Sequence, residues 1–419
     1  MITRRSFVGA SAALTAAGML PSRRARAASV SGSDLKFVFV VNYGGWDPTR
    51  VFAPEFSNPA FDMERLADSG SVGDITFVDS ADRPSVRSFL ESWYTRTLFI
   101  NGVMVPSIAH DNCLRLSMTG TTATTRSDWP SVIASARSES FSLPQLVIAG
   151  PSFPGDLGAM VTRTGSSGQL EGLLSGDILD WSDTVVDRPS SQAEDIMSRY
   201  LSRRAAAVAG QATSERELAQ MGAFSRAVDR GQELKNLLNV IEWSGGSAFS
   251  SQASMAVDAL TMGISRCVTI STGYSWDTHT QNDTYQSSNF ESLFAGLVSL
   301  MEGLRTSPGE VSESLADETV VVVLSEMGRT PQLNSADGKD HWPYTCTMVV
   351  GPNIVGNRVY GAFDYYGYGK TLDFETGDVD EDAGRNIAVD SVGATLLQLE
   401  GVDSEETMPG VKAISALLG

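Results

Sequence analysis

The sequence predicts an α/β protein in which helices cover both faces of a mostly parallel central sheet. Short, continuous apolar runs recur along the chain, as expected of strands buried on both faces. Helix-period stretches separate several of these runs, and buried strands alternating with helices build sheets of this kind. The runs also stop abruptly, in glycine or in residues that carry chemistry.

The first run, Leu35-Lys36-Phe37-Val38-Phe39-Val40-Val41, ends at Asn42-Tyr43-Gly44-Gly45-Trp46-Asp47. Similar runs occupy residues 97–103, 145–149, 267–271, 319–324 and 345–350, and residues 289–306 have helical periodicity. Residues 190–243 differ. Ser191 with Glu194, and Ser214 with Glu217, have capping-box spacing ahead of long helix-forming stretches. They predict a helical insertion in the connectivity of the sheet, serving either as a lid over a site or as one layer of the helical cover. The Ser/Gly-rich residues 164–176 read as a surface loop. Residues 28–419 are expected to form one domain.

Residues 1–27 have the layout of a twin-arginine leader: Arg4-Arg5-Ser6-Phe7, a mildly apolar Ala/Gly-rich run to Leu20, then Ala25-Arg26-Ala27 as a cleavage site. The run is shorter than the roughly 20 apolar residues that span a bilayer. An ordinary secretory signal is the alternative, since arginine pairs occur there too. The expectation is export by the twin-arginine translocase to the periplasm or beyond, with no stable membrane insertion.

Residues 1–27 hold five arginines and no acid, so without them the net charge moves from −19 to −24. Such an excess of acid disfavours nucleic acid and anionic lipid, which are bound through Lys and Arg. It keeps a surface soluble. Cys113, Cys267 and Cys346 have no structural zinc spacing, and an odd set allows at most one disulfide, so buried free thiols are expected.

The chain has three histidines, and each lies within two residues of an aspartate: His110-Asp111, Asp277-Thr278-His279 and Asp340-His341. Each sits beside a strand-like run, as do Asp47 and Ser325-Glu326. Ligands of open α/β sheets bind beyond the carboxyl ends of the strands. A mixture of carboxylates and imidazoles there suits a divalent cation: zinc, manganese, or calcium if oxygens dominate. Arg329 is placed to hold an anionic group by bidentate hydrogen bonds. Each piece has a plainer alternative: Asp47 closing a turn, Asp340-His341 as a loop pair, Glu326 and Arg329 as an ion pair.

Gly44-Gly45-Trp46-Asp47, Trp276-Asp277-Thr278-His279, Ser325-Glu326-Met327-Gly328-Arg329-Thr330 and Asp340-His341 together resemble the ordered signature blocks of domain of unknown function family 1501. The resemblance runs over residues 35–402, with Ser275 where glycine is usual and Met327 where phenylalanine is usual. That family is similar in fold to the alkaline phosphatase and sulfatase superfamily. The resemblance implies a metal-dependent hydrolase of phosphate or sulfate esters acting on a small anionic substrate. It implies Asp47 as first metal ligand, Asp277, His279, Glu326 and His341 as the others, and a nucleophile segment after residues 97–103. Ser107 is the nucleophile candidate there, with His110 as ligand or acid and Arg329 as anion holder.

Cys113-Leu114-Arg115-Leu116-Ser117 departs from the C-x-P-S-R pattern that sulfatases modify, which disfavours the standard sulfatase mechanism. Ser-Glu in place of the phosphatase Asp-His pair costs a two-metal site one imidazole. A second reading is therefore a binding or assembly protein that keeps the fold without turnover. An oxidoreductase finds no support, because the Gly44-Gly45 turn lacks dinucleotide-binding spacing.

Overall fold

The computed structural model describes residues 30–164, 190–211, 214–218, 220–222, 224, 225, 228, 231 and 248–419. The leader, residues 1–27, lies outside them, as do most of the loop 164–176 and much of the insertion 190–243.

Among the described residues the six apolar runs form six strands of one eight-stranded sheet, whose two short edge strands, at 161–163 and 358–360, no apolar run marked. In chain order the strands of this sheet are β1 (Lys36–Asn42), β4 (Thr97–Met104), β5 (Gln145–Val147), β6 (Val161–Arg163), β7 (Cys267–Ile270), β8 (Thr319–Ser325), β11 (Tyr344–Val350) and β12 (Arg358–Tyr360). Two small ribbons stand apart: β2 (Ala67–Val72) with β3 (Ile75–Ser80), and β9 (Gly328–Arg329) with β10 (His341–Trp342). The order across the large sheet is β12-β4-β11-β8-β1-β7-β5-β6.

Strand β1 lies at the centre, parallel to β7 and β8, and all seven of its residues are buried. Its side chains alternate between two cores. Val38 and Val40 pack with helices α1 (Pro84–Trp93), α5 (Phe249–Thr261) and α6 (Asn282–Thr306). Phe37, Phe39 and Val41 face α2 (His110–Thr119), α3 (Trp129–Ala136) and α7 (Val389–Glu400). A fully buried apolar side chain of this size contributes roughly 1.5–3 kcal/mol. A strand covered on both sides therefore gains at every position and needs no polar alternation.

The run at 345–350 differs from expectation, because β11 is antiparallel to both of its neighbours, β8 and β4. The segment before β11 consequently lies at the same sheet edge as the carboxyl ends of β1, β4, β7 and β8. His341 therefore reaches that edge ahead of a strand, whereas Asp277 and Glu326 reach it after one.

Helix α4 (Ser191–Ala209) belongs to the predicted insertion and begins one residue earlier than its capping pattern suggested: Ser190 is the N-cap and accepts from the Ala193 N–H. Ser214 and Glu217 make the expected reciprocal capping box, at 3.2 Å in each direction. The three cysteines are buried and free. Among the described residues no helix is long and apolar enough to cross a membrane.

Candidate metal centre

The centre is built on the turn that follows β1. Gly44 and Gly45 have φ of 118° and 81°, which L side chains rarely adopt. A Cβ on Gly44 would stand 2.5 Å from the Asp277 backbone nitrogen, so the turn packs directly on the segment after β7. Trp276 donates its N–H to the Tyr43 carbonyl at 3.0 Å, stitching the two together.

Asp277 occupies the middle of the cluster. Its Oδ1 accepts from Arg329 Nη2 at 2.6 Å and stands 3.2 Å from the Nε2 atoms of both His279 and His341. Its Oδ2 stands 3.5 Å from His110 Nε2. Burial pushes the Asp277 carboxyl up, but Arg329, joined by His341 and His279 in their protonated forms, outweighs it and holds the group below the usual range. The exposed His279 also meets the half-buried His341, with 3.0 Å between their Nε2 atoms.

In each ring the far nitrogen has an acceptor. His110 Nδ1 meets Glu326 Oε1 at 2.8 Å, His279 Nδ1 meets Asp340 Oδ1 at 2.8 Å, and His341 Nδ1 meets the Ile108 carbonyl at 2.8 Å. A carboxylate or a carbonyl only accepts, and Nε2 of each ring faces one too, in Asp277; the Nδ1 contacts are the shorter, 2.8 Å against 3.2–3.5 Å, so the proton of a neutral ring is assigned to Nδ1. The three Nε2 lone pairs then face Asp277. The bond to Glu326 holds the His110 pKa above its ordinary value against an opposing effect of burial. Ligand atoms of His110, Asp277 and His341 all lie within 4.8 Å of one another, the one such group among the described residues. His279 lies outside that group but closer to two of its members, Asp277 and His341, than the group's own spread.

Two groups expected at the centre turn inward instead. Glu326 is fully buried, and its carboxylate accepts from the N–H groups of Gly44 and Gly45 at 2.7 and 3.3 Å and from Ser325 Oγ at 3.1 Å, besides His110. Arg329 is buried as well. It donates to the Gly44, Gly45 and Lys339 carbonyls and to Asp277, so its guanidinium presents no free edge to an outside anion. They do not form the mutual ion pair considered from sequence, because each has better partners on either side of the same turn.

Asp47 is placed differently from its expected role as first ligand. It is 0 % exposed, and Oδ2 meets Lys339 Nζ at 2.9 Å and Arg50 Nη1 at 3.4 Å. Asn282 donates to Oδ2, while the N–H and hydroxyl of Thr49 donate to Oδ1. Lys339 is thus the cation at this carboxylate. Burial opposes its charge, yet Lys339 and Arg50 hold the Asp47 carboxyl far below the usual range. Burial also draws the Lys339 ammonium down to about 8.

Ser107 lies in the loop between β4 and α2, as the nucleophile segment should, but its hydroxyl accepts the Ala109 N–H at 3.2 Å in a local turn. Its other side-chain partner is the Cys113 thiol. Tyr43 was missed from sequence: its ring lies 5.1 Å from that of His110, and burial with Asp111, Glu326 and Asp277 raises its pKa. Its position immediately before Gly44-Gly45 was the available signal. Asp340 was noticed only as a neighbour of His341, yet its partner is His279, 61 residues away in sequence.

The family model described as "Protein of unknown function (DUF1501)" matches residues 182–414. No curated protein matches the chain in sequence. Solved structures with a similar fold include a protein in the alkaline phosphatase superfamily from Vibrio parahaemolyticus, at 8 % identity and a TM-score of 0.42, covering 92 % of this chain and 70 % of that one. The PsFucS1 sulfatase from Pseudoalteromonas sp. has 9 % identity, a TM-score of 0.39 and coverage of 91 % and 71 %. A lipoteichoic acid synthase from Listeria monocytogenes has 9 % identity, a TM-score of 0.38 and coverage of 92 % and 74 %. Likenesses this loose say nothing about activity, which has to be read from the cluster.

Proposed function

The chain belongs to the DUF1501 family, and we propose that it is an exported metal-dependent hydrolase of phosphate or sulfate esters whose metal is held by His110, Asp277, His279 and His341. The observation that carries this reading is the triangle of His279 Nε2, His341 Nε2 and Asp277 Oδ1, with sides of 3.0, 3.2 and 3.2 Å. With both rings protonated on Nδ1, three lone-pair atoms face one another without a donor between them. Such an arrangement is repulsive until a cation enters it, either a proton on one ring or a metal. Tetrahedral zinc, with bonds of about 2.0–2.1 Å, sets its ligand atoms roughly 3.3 Å apart. The His279, His341 and Asp277 donors match that spacing, while His110 stands at the wider edge of the set, and an imidazole-rich set favours zinc or manganese over calcium.

A bound metal supplies Lewis acidity toward an ester oxygen. The chain's own residues do the positioning: Asp340, Glu326 and the Ile108 carbonyl aim the imidazoles, and Arg329 holds Asp277. Groups of this kind orient a ligand and raise its basicity. With Arg329 buried and Ser107 turned to its own backbone, recognition of the ester anion falls to the cluster itself.

That same placement of Ser107 and Arg329 is the observation that favours the second reading, a binding or assembly protein without turnover. A panel of aryl phosphate monoesters, phosphodiesters and sulfates, assayed with zinc- or manganese-loaded protein and again after chelation, separates the two. Metal-dependent turnover of any ester supports the hydrolase. Stoichiometric metal without turnover on any of them leaves the binding protein. The leader belongs to the same proposal, and a fusion of residues 1–27 to a reporter whose export depends on the twin-arginine translocase tests it.

A further inference from the structure

We infer that Glu326 and Arg329 are positioning residues that grip the Gly44–Gly45 turn from opposite sides, and that through this grip Glu326 fixes His110 in its Nδ1–H form. This rests on the cluster being the working site proposed above. The grip is two-sided. The Glu326 carboxylate takes the two N–H groups of the turn, at 2.7 and 3.3 Å, while Arg329 takes its two carbonyls, Gly45 O at 2.9 Å from Nε. Each side chain then has one valence directed into the cluster: Glu326 Oε1 to His110 Nδ1 at 2.8 Å, and Arg329 Nη2 to Asp277 Oδ1 at 2.6 Å.

The bonding pattern of Glu326 leaves it the role of acceptor. Backbone N–H groups donate to both of its oxygens, Ser325 Oγ lies 3.1 Å from the second and His110 Nδ1 2.8 Å from the first, so about four lone-pair sites are in use. No site remains for a metal, and the only partner it can offer His110 is an acceptor. His110 is therefore protonated on Nδ1, and its Nε2 lone pair faces Asp277 Oδ2, 3.5 Å away. The glycines belong to the same device. Only residues that tolerate φ of 118° and 81° turn both N–H groups toward Glu326 and both carbonyls toward Arg329. The Ser325-Glu326-Met327-Gly328-Arg329 segment thus serves to aim ligands, with neither of its charged groups touching the substrate.

The test is nitrogen-correlated NMR of the imidazoles in metal-free protein at alkaline pH, where the neutral rings report their tautomers; three histidines make assignment by single substitution practical. The expected result is Nδ1–H at His110 in the wild type, a shift toward Nε2–H in Glu326→Ala, and recovery in Glu326→Gln, whose amide oxygen still accepts from His110. Zinc affinity, measured by competition with a chelating dye, should fall about 10–100-fold in Glu326→Ala and less in Glu326→Gln. Nε2–H at His110 in the wild type overturns the inference. So does an unchanged tautomer with unchanged zinc affinity in Glu326→Ala, because a purely structural Glu326 alters thermal stability and leaves the ring alone. If Glu326→Ala does not fold, the wild-type tautomer decides. Nδ1–H at His110 in a protein that binds no zinc contradicts the metallohydrolase and leaves the positioning role standing.

Discussion

Two charged clusters lie at the same sheet edge and share neighbouring residues, yet they are built in opposite ways. Around Asp47, cations and donors meet every carboxylate oxygen, and Lys339, Arg50 and Asp47 are all buried. Around Asp277, three imidazoles converge on a carboxylate whose side chain is 35 % exposed, and His279 is 45 % exposed. One cluster already contains its cation. The other has one buried cation, Arg329, on Asp277 Oδ1, and still turns three imidazoles toward the same carboxylate, which is where the proposed metal would enter. Carboxylates at strand ends look alike in sequence, and what separates these two is that buried cations and donors occupy both oxygens of Asp47, whereas imidazoles converge on Asp277 beside its single arginine.

The difference should be plainest in stability. Asp47→Ala leaves Lys339 buried without its carboxylate, although Arg50 keeps Asp283, and should cost about 3–5 kcal/mol in urea unfolding. A loss below about 1 kcal/mol would break the comparison. Chelation comes next. At metal concentrations about 100 times the dissociation constant, binding adds roughly 2.7 kcal/mol, which chelator should remove from the wild type and not from His341→Ala. Asp277→Ala should abolish metal binding, while unfolding of the metal-free protein shifts by only about 1–2 kcal/mol, because Arg329 keeps its three carbonyl partners. The smallest effect is expected for Ser107→Ala, under about 1 kcal/mol with metal content unchanged, since that hydroxyl serves its own turn and the neighbouring Cys113 thiol. A loss of metal in Ser107→Ala would bring the loop into the cluster.

Much of the fold was legible because strands such as β1 and β8 are buried on both faces and therefore read as unbroken apolar runs. Helix α6 shows where that signal fails. It begins at Asn282, seven residues before its apolar periodicity, because Asn282 and Gln286 are buried by hydrogen bonds: Asn282 to Asp47, Gln286 to Gly45 and the Asp47 N–H. Buried polar residues are invisible to a hydrophobic pattern. The direction of β11 was equally hidden, since apolar runs look the same in either direction.

At the site, local sequence marked all three histidines and Asp277 but could not rank the carboxylates. Asp47, Glu326 and Asp277 all follow strands and differ only in partners contributed from far along the chain, such as Lys339, His110 and Arg329. Arg329 misled for the same reason: an arginine after a strand reads as an anion holder until the carbonyls of a glycine turn are found in its reach.

The central claim is that the open cluster holds a metal ion, and elemental analysis of the purified protein tests it most directly, with wild type, His341→Ala and Asp47→Asn side by side. The account predicts one zinc-class divalent ion per chain in the wild type, none in His341→Ala, and undiminished metal in whatever Asp47→Asn protein remains folded. No stoichiometric metal in the wild type, or metal that follows Asp47 and ignores His341, would contradict it.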